Sequence, residues 1–208
     1  MALIGLLSDV HSTPGPVAEA LSIFEREGVE QVFCAGDIAG YREELQETVA
    51  LLIESGCQSV IGNHDLQYLD HLDDEAGDAA AAYLSKLPAF IDTTIAGKRL
   101  YLVHAHPPDA CHGGIKLLDR DGALKPERVA DWTAQLAAFA PDVLVIGHTH
   151  QVFAERLGDT LVVNPGSSAF NNSCAILDLA ELSVAFFPLG RKAIEKNWNW
   201  ADHVIRGE

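Results

Sequence analysis

Short apolar runs alternate with segments of helical period, and this alternation constrains the chain more than any other feature. Residues 3–7 form the first apolar run and suit a buried strand. Residues 14–27 then place Val17, Leu21 and Phe24 on one stripe, with Gly28 as a stop, which predicts a helix. A second strand is expected over 31–35. A second helix over 43–55 would carry Leu45, Val49, Leu52 and Ile53, and a third strand follows over 59–61. A β-α-β-α-β opening predicts a largely parallel sheet with covering helices. With 208 residues, 48% of them hydrophobic, the chain is long enough for one domain with an ample core. It is neither a disordered polymer nor a collagen-like repeat nor a disulfide-stapled scaffold.

The remainder is read in the same way. A mostly helical stretch includes residues 75–86, with four consecutive alanines, and is closed by Pro88. Residues 90–95 and 99–103 flank Ala96-Gly97-Lys98 and suit a hairpin. Residues 105–125 contain Pro107-Pro108 and Gly113-Gly114 without a clear period, so a long loop is expected; such loops are usually functional or mobile. A helix over 126–139 starts on a proline, as first turns favour, and a strand over 143–146 follows. The last third reads as a β-meander with strands over 151–157, 160–163, 174–179 and 182–187. A domain over 1–190 is thus followed by a tail, 191–208, whose Trp198 and Trp200 suit packing on the domain or on a second copy in a homo-oligomer.

Charge and cysteine usage exclude several classes. Thirty Asp and Glu against 14 Lys and Arg leave −16, a poor balance for a dedicated nucleic-acid binder. A small electropositive site is still allowed, because fields are screened over about 8 Å at physiological salt. Cys34, Cys57, Cys111 and Cys174 form no C-x-x-C pair, which argues for buried reduced thiols and against a zinc–thiolate site. The apolar residues 1–7 lack a basic leader and meet Ser8-Asp9 at once. No stretch approaches the roughly 18 apolar residues of a membrane span, so a cytoplasmic protein without a membrane partner is expected.

The polar residues cluster where strands end: Ser8-Asp9-Val10-His11, Gly36-Asp37-Ile38-Ala39-Gly40, Gly62-Asn63-His64-Asp65, Val103-His104-Ala105-His106 and Gly147-His148-Thr149-His150. Carboxyl ends of parallel strands share one edge, and ligands bind there. Residues i and i+2 at a strand end point the same way, so Asp9 with His11, and His148 with His150, can form pairs of ligands. Glycines at 36, 40, 62 and 147 allow sharp bends and close approach. Imidazole and carboxylate donors without thiolate suit Mn²⁺, Fe, Zn²⁺ or Ni²⁺. Eight donor positions, with Asp37 counted twice as a bridge, exceed what one ion takes and suggest two.

The ordered set D-x-H, G-D-x-x-G, G-N-H-D, a strand-end His and G-H-x-H resembles the calcineurin-like metallophosphoesterase family. Asn164-Pro165-Gly166-Ser167 is similar to a motif of its small bacterial and archaeal phosphodiesterase branch, and the match runs from Asp9 to Ser167. The resemblance implies an α/β fold, a four-layer αββα sandwich of two mixed β-sheets with flanking helices. It also implies one divalent metal held by Asp9, His11, Asp37 and His150, and a second held by Asp37, Asn63, His104 and His148. Manganese is the metal expected to support activity. A water or hydroxide bridging the ions would be the nucleophile, and His64 would be the catalytic acid, oriented by Asp65. Two cations about 4 Å apart can activate water and clamp the oxygens of an in-line displacement. Two divalent ions against Asp9 and Asp37 leave a local excess of positive charge, which draws in phosphate despite the acidic chain.

Some positions depart from the family pattern or match no part of it. Ser12 and Ala105 stand where relatives often carry Gly, and Gly40 replaces the second Asp of the protein-phosphatase pattern. Arg42 and His106 are the candidate substrate contacts. His71, His112 and His203 match no motif and are expected at the surface; Asp73-Asp74-Glu75 suits a solvated helix start. The Asn164–Ser167 segment is expected to be a structural turn beside the site. The expected function is hydrolysis of a small phosphate ester, a diester before a monoester. A phosphomonoesterase with the same site is the alternative, a nuclease is disfavoured by charge, and a non-catalytic scaffold is disfavoured by His64 and the complete ligand set. The 105–125 loop would cover part of the site and shape substrate choice.

Overall fold

The computed structural model describes residues 2–72 and 79–199. Its first half runs β1 (Leu3–Leu7), α1 (Pro14–Glu27), β2 (Gln31–Cys34), α2 (Leu45–Glu54), β3 (Gln58–Ser59), α3 (Asn63–Asp70) and α4 (Ala79–Leu84). The second half runs β4 (Phe90–Ile95), β5 (Lys98–Val103), α5 (Pro126–Leu136) and β6 (Val143–Val145). It closes with β7 (Val152–Leu157), β8 (Thr160–Pro165), β9 (Ser173–Asp178) and β10 (Ser183–Pro188). The strands form two five-stranded sheets, ordered β10-β9-β1-β2-β3 and β4-β5-β6-β8-β7.

Side-chain alternation builds the layers. On β5, Leu100 and Leu102 point between the sheets, where they meet Val143, Val145, Leu161 and Val163 with Ile4, Leu6 and Phe33 of the first sheet. Tyr101, Val103, Leu144 and Val162 point the other way, against Leu136 of α5 and against Ile115 and Leu117. The outer face of the first sheet buries Leu7 and Cys34 under Val17 and Phe24 of α1 and Val49 and Leu52 of α2. Strands buried on both faces read as unbroken apolar runs, since the period of two carries no polar face. The result is the expected four-layer αββα sandwich of two mixed sheets.

Several local expectations are corrected. The first sheet is parallel only over β1, β2 and β3; β9 pairs antiparallel with the free side of β1, and β10 with β9. The last third is not one meander. β7 and β8 form a hairpin in the second sheet, and β9 and β10 one in the first. The chain changes sheet over 166–172, where Gly166 (φ 74°) and Asn172 (φ 53°) turn left-handed. β3 stops at Ser59, and two residues on the Ile61 N–H donates to Pro88 O (2.9 Å). Residues 75–78 of the expected helix, the Asp73-Asp74-Glu75 start, Trp200 and His203 lie outside the described residues.

Residues 105–125 contain no helix or strand, yet they are packed: Ile115, Leu117 and Leu118 are buried in the outer core. Residues 191–199 of the tail lie on the domain, with Val152 N–H donating to Lys196 O (2.9 Å) and Trp198 N–H to His150 O (3.1 Å). Among the described residues, no helix is long and apolar enough to cross a membrane.

Candidate metal centre

The turns after β1, β2, β3, β5 and β6 converge on one edge shared by both sheets. Asp9 (φ 50°), His11 (45°), Asp37 (54°), His148 (64°) and His150 (48°) all have left-handed backbones. That region is uncommon for residues other than glycine and clusters at functional sites. Strand-like alternation therefore does not explain the Asp9–His11 and His148–His150 pairs, as the i, i+2 spacing had suggested. Curled turns aim these side chains, and hydrogen bonds between turns hold them: His11 N–H to Asp37 O (3.0 Å), Ser12 N–H to Ile38 O (2.8 Å) and Gly147 N–H to His104 O (2.8 Å). Glycine is required where turns touch. A Cβ on Gly62 would strike the Asp37 carboxylate, and one on Gly147 the Ser8 hydroxyl.

Two donor groups result. Asp9, His11 and His150 bring one ligand atom each within 4.8 Å of one another, and so do Asp37, His104 and His148. A third set, His11, Asp37 and His64, links them, so Asp37 stands beside both. In the first group His11 Nε2 and His150 Nε2 are 3.3 Å apart, with Asp9 Oδ1 3.3 Å from His150 Nε2. In the second, His104 Nε2 is 3.3 Å from Asp37 Oδ2, and one amide terminal atom of Asn63 lies 3.1 Å from His104 Nε2 and 2.9 Å from His148 Nδ1. His148 and His150 thus divide between the groups.

The donor chemistry fits divalent cations. His11 Nδ1 lies 3.1 Å from Ala39 O and His104 Nδ1 2.6 Å from Ala35 O. Each carbonyl accepts from an Nδ1–H, so Nε2 of both rings faces inward as the atom available to a metal. His11 Nε2 and His150 Nε2, 3.3 Å apart beside the ionised Asp9 carboxylate, are placed to share a cation. Burial opposes ionisation of Asp9, but His150, His104 and His11 outweigh it and hold its pKa below the usual carboxylate range. Burial likewise opposes ionisation of Asp37 and is overcome chiefly by His104. Burial depresses His11 to about 4 and, with repulsion from His104, His148 to about 4. Burial would lower His104 too, yet Asp37 raises it to about 9.

Around this floor, the structure places the other expected residues unevenly. His64 follows Asn63 at the start of α3 and so projects to a different side of the helix. Its ring faces the cleft 5.1 Å from that of His11 and 4.7 Å from that of Tyr41, while its N–H donates to Asp37 Oδ1 (2.8 Å). Asp65 does not orient His64, as had been expected. Its carboxylate accepts from Ile38 N–H (2.8 Å), Ala39 N–H (2.7 Å) and Gly62 N–H (2.8 Å), tying the turn after β2 to α3. Burial and the Asp37 charge raise its pKa to about 7, against those amide donors. Ser167 Oγ donates to Asp9 O (2.6 Å) and Asn164 Nδ2 to Gly147 O (3.1 Å), so the Asn164–Ser167 turn braces the site. Arg42 is exposed and His106 lies toward Pro107 O and Trp132; among the described residues neither lines the cleft. His71 and His112 are exposed, though the His112 ring is 6.2 Å from that of His148. Cys34 and Cys174 are buried, Cys57 and Cys111 half-buried, and all four are free thiols.

The floor opens into a cleft of about 480 Å³, within the usual range for small-molecule sites. Part of its wall is the 105–125 loop, as expected, but the cations there were not singled out from the sequence. Lys116, Arg120, Lys125 and Arg128 line it, as do Tyr41 and Trp198. Trp198 stacks on Phe170 (4.3 Å between centroids), which stacks in turn on His150 (5.5 Å).

A sheet pair that aims carboxylates and imidazoles at one shared edge, under a cleft lined by cations, defines a metal-dependent phosphoric ester hydrolase. Residues 2–181 match the model of the calcineurin-like phosphoesterase superfamily domain, and the chain belongs to that superfamily. It is 25% identical over 171 residues to a phosphodiesterase of Methanocaldococcus jannaschii, covering 78% of this chain and 82% of that protein. An uncharacterised protein of the same archaeon is 28% identical over 181 residues, covering 79% of this chain and 69% of its own. The crystal structure of a metallophosphoesterase from Sphaerobacter thermophilus superposes with a TM-score of 0.69 at 20% identity, covering 99% of this chain and 94% of that one.

Proposed function

We propose that the chain is a dinuclear phosphodiesterase that hydrolyses a small diester with His64 as general acid. The observation that carries this reading is Asp37 standing beside both donor groups, with His64 on its rim. Asp9, His11, Asp37 and His150 would hold one divalent ion, and Asp37, Asn63, His104 and His148 the other, with manganese the metal best suited to support turnover. Bound there, the two ions would supply Lewis acidity, lowering the pKa of a held water and compensating charge on the phosphoryl oxygens. Ala39 and Ala35 fix the His11 and His104 rings, so little reorganisation accompanies the reaction. His64, anchored through its N–H to Asp37, would give its proton to the departing ester oxygen, a contribution of about 10²–10⁴-fold. The name of the archaeal phosphodiesterase relative supports a diester.

The test is release of p-nitrophenol from bis(p-nitrophenyl) phosphate and from p-nitrophenyl phosphate by purified protein supplied with Mn²⁺. Faster turnover of the diester, abolished by chelator, is expected. Turnover of the monoester alone would contradict the diester preference, and no metal-dependent release from either would overturn the reading.

A further inference from the structure

We infer that residues 116–128 form a second anion subsite beside the metal centre, so that the substrate carries a further phosphate beyond the one being cleaved. This rests on the phosphodiesterase reading and narrows it to phosphate esters of polyphosphorylated small molecules, such as nucleotides with a diphosphate or longer chain.

The charge distribution is the first support. The chain carries 30 acidic and 14 basic residues, yet this one cleft is lined by Lys116, Arg120, Lys125 and Arg128 against Asp37 and Asp119. A single phosphate over the floor would already be met by the two divalent ions and His64. Four more cations on the same wall exceed what one phosphate can use, and arginine in particular suits bidentate phosphate contacts. Concentrating cations here, in a protein repelling anions elsewhere, raises the local concentration of an anionic ligand.

Rigidity is the second support, because Lys116, Arg120 and Lys125 sit on a pinned strap and Arg128 on the first turn of α5. The Gln151 side chain is buried next to the ligand His150. Its Oε1 accepts from Leu117 N–H (2.8 Å) and Leu118 N–H (3.0 Å), and its Nε2 donates to Leu118 O (3.0 Å). Asn197 Nδ2 donates to Asp119 O (2.7 Å), and Lys125 N–H to Leu117 O (2.8 Å). The Asp119 carboxylate closes the strap's tip by accepting from Asp121 N–H and Ala123 N–H, each at 2.9 Å. Lys125 also reaches Glu127 Oε1 at 3.3 Å, an exposed pair weak enough to yield to a phosphate. A strap so fixed relative to His150 presents its charges at a set distance from the metal centre.

The test compares adenosine 5′-monophosphate with adenosine 5′-diphosphate as inhibitors of bis(p-nitrophenyl) phosphate turnover, and by calorimetry, using metal-loaded protein at constant ionic strength. Wild type is expected to bind the diphosphate at least about tenfold tighter. Lys116→Ala/Arg120→Ala should bring that ratio to within about twofold of unity. Arg26→Ala/Lys86→Ala, which removes two exposed cations outside the cleft, should leave it intact. A wild-type ratio near one, or a ratio that survives in the strap variant, would overturn the subsite. Failure of the phosphodiesterase reading looks different: wild type would not turn over the aryl diester, while calorimetry would still report the ratio.

Discussion

On the cleft floor, six side chains come from short turns after β1, β2, β5 and β6, which backbone hydrogen bonds tie to one another, and Asn63 comes from the start of α3. On the rim, Lys116, Arg120 and Lys125 come from an irregular loop held by one buried glutamine and one asparagine of the tail, and Arg128 comes from the first turn of α5. Asp9, His11, Asp37, His148 and His150 of the floor have left-handed backbone, whereas most of the rim is irregular loop tied down by side chains. The contrast separates roles. A chemical step needs donor atoms fixed within fractions of an ångström, whereas choice among substrates can be made by charges carried on a loop beside them.

If that division holds, the largest effects lie on the floor. Asp37→Asn, which removes the carboxylate beside both donor groups, should reduce metal content from two ions per chain and push turnover below detection. Elemental analysis beside the activity assay decides this, and two ions retained would contradict the shared role. Next comes His64→Ala, expected to leave metal content unchanged while lowering turnover by about 10²–10⁴-fold. Undiminished turnover would take His64 out of the chemistry and place acid catalysis elsewhere.

Rim effects should be smaller and of another kind. Gln151→Leu strands the Leu117 and Leu118 N–H groups, at a cost of about 1–3 kcal/mol in denaturant unfolding. It should also erase diphosphate preference while both metals stay bound. Loss of metal together with selectivity would show that floor and rim are one unit.

A pH effect sharpens the comparison further. His104 rises from 6.5 to about 9 because Asp37 favours its charged form over the opposing cost of burial. In chelator-treated protein that pairing stabilises the fold fully below pH 6.5 and is lost as pH climbs through about 9. The melting temperature of metal-free protein should therefore decline over that window. With metal bound, the cation takes the proton's place and the decline should vanish, whereas a decline common to both forms would assign it to groups other than His104.

The contrast also explains what could be read from the chain beforehand. Asp9, His11, Asp37, Asn63, His104, His148 and His150 each sit in a short local pattern after an apolar run, so residue type and spacing carry the signal. Their aim was misjudged, since spacing alone suggests extended backbone where the turns are left-handed. Asp65 beside His64 looked like an orienting partner because adjacency in sequence says nothing of where a carboxylate finds amide donors. The 105–125 loop was expected to cover part of the site, and it does, but the individual cations of the rim were not singled out. Its residues become neighbours of the site only through Gln151 and Asn197, contacts spanning 33 to 78 positions. A signal was present, though: four of the chain's 14 Lys and Arg fall between positions 116 and 128.

The account stands on two cations sharing Asp37, and anomalous scattering from crystals of manganese-loaded protein tests it most directly. Two peaks are predicted, one enclosed by Asp9, His11, Asp37 and His150 and the other by Asp37, Asn63, His104 and His148. A single peak, or two that do not both contact Asp37, would contradict it.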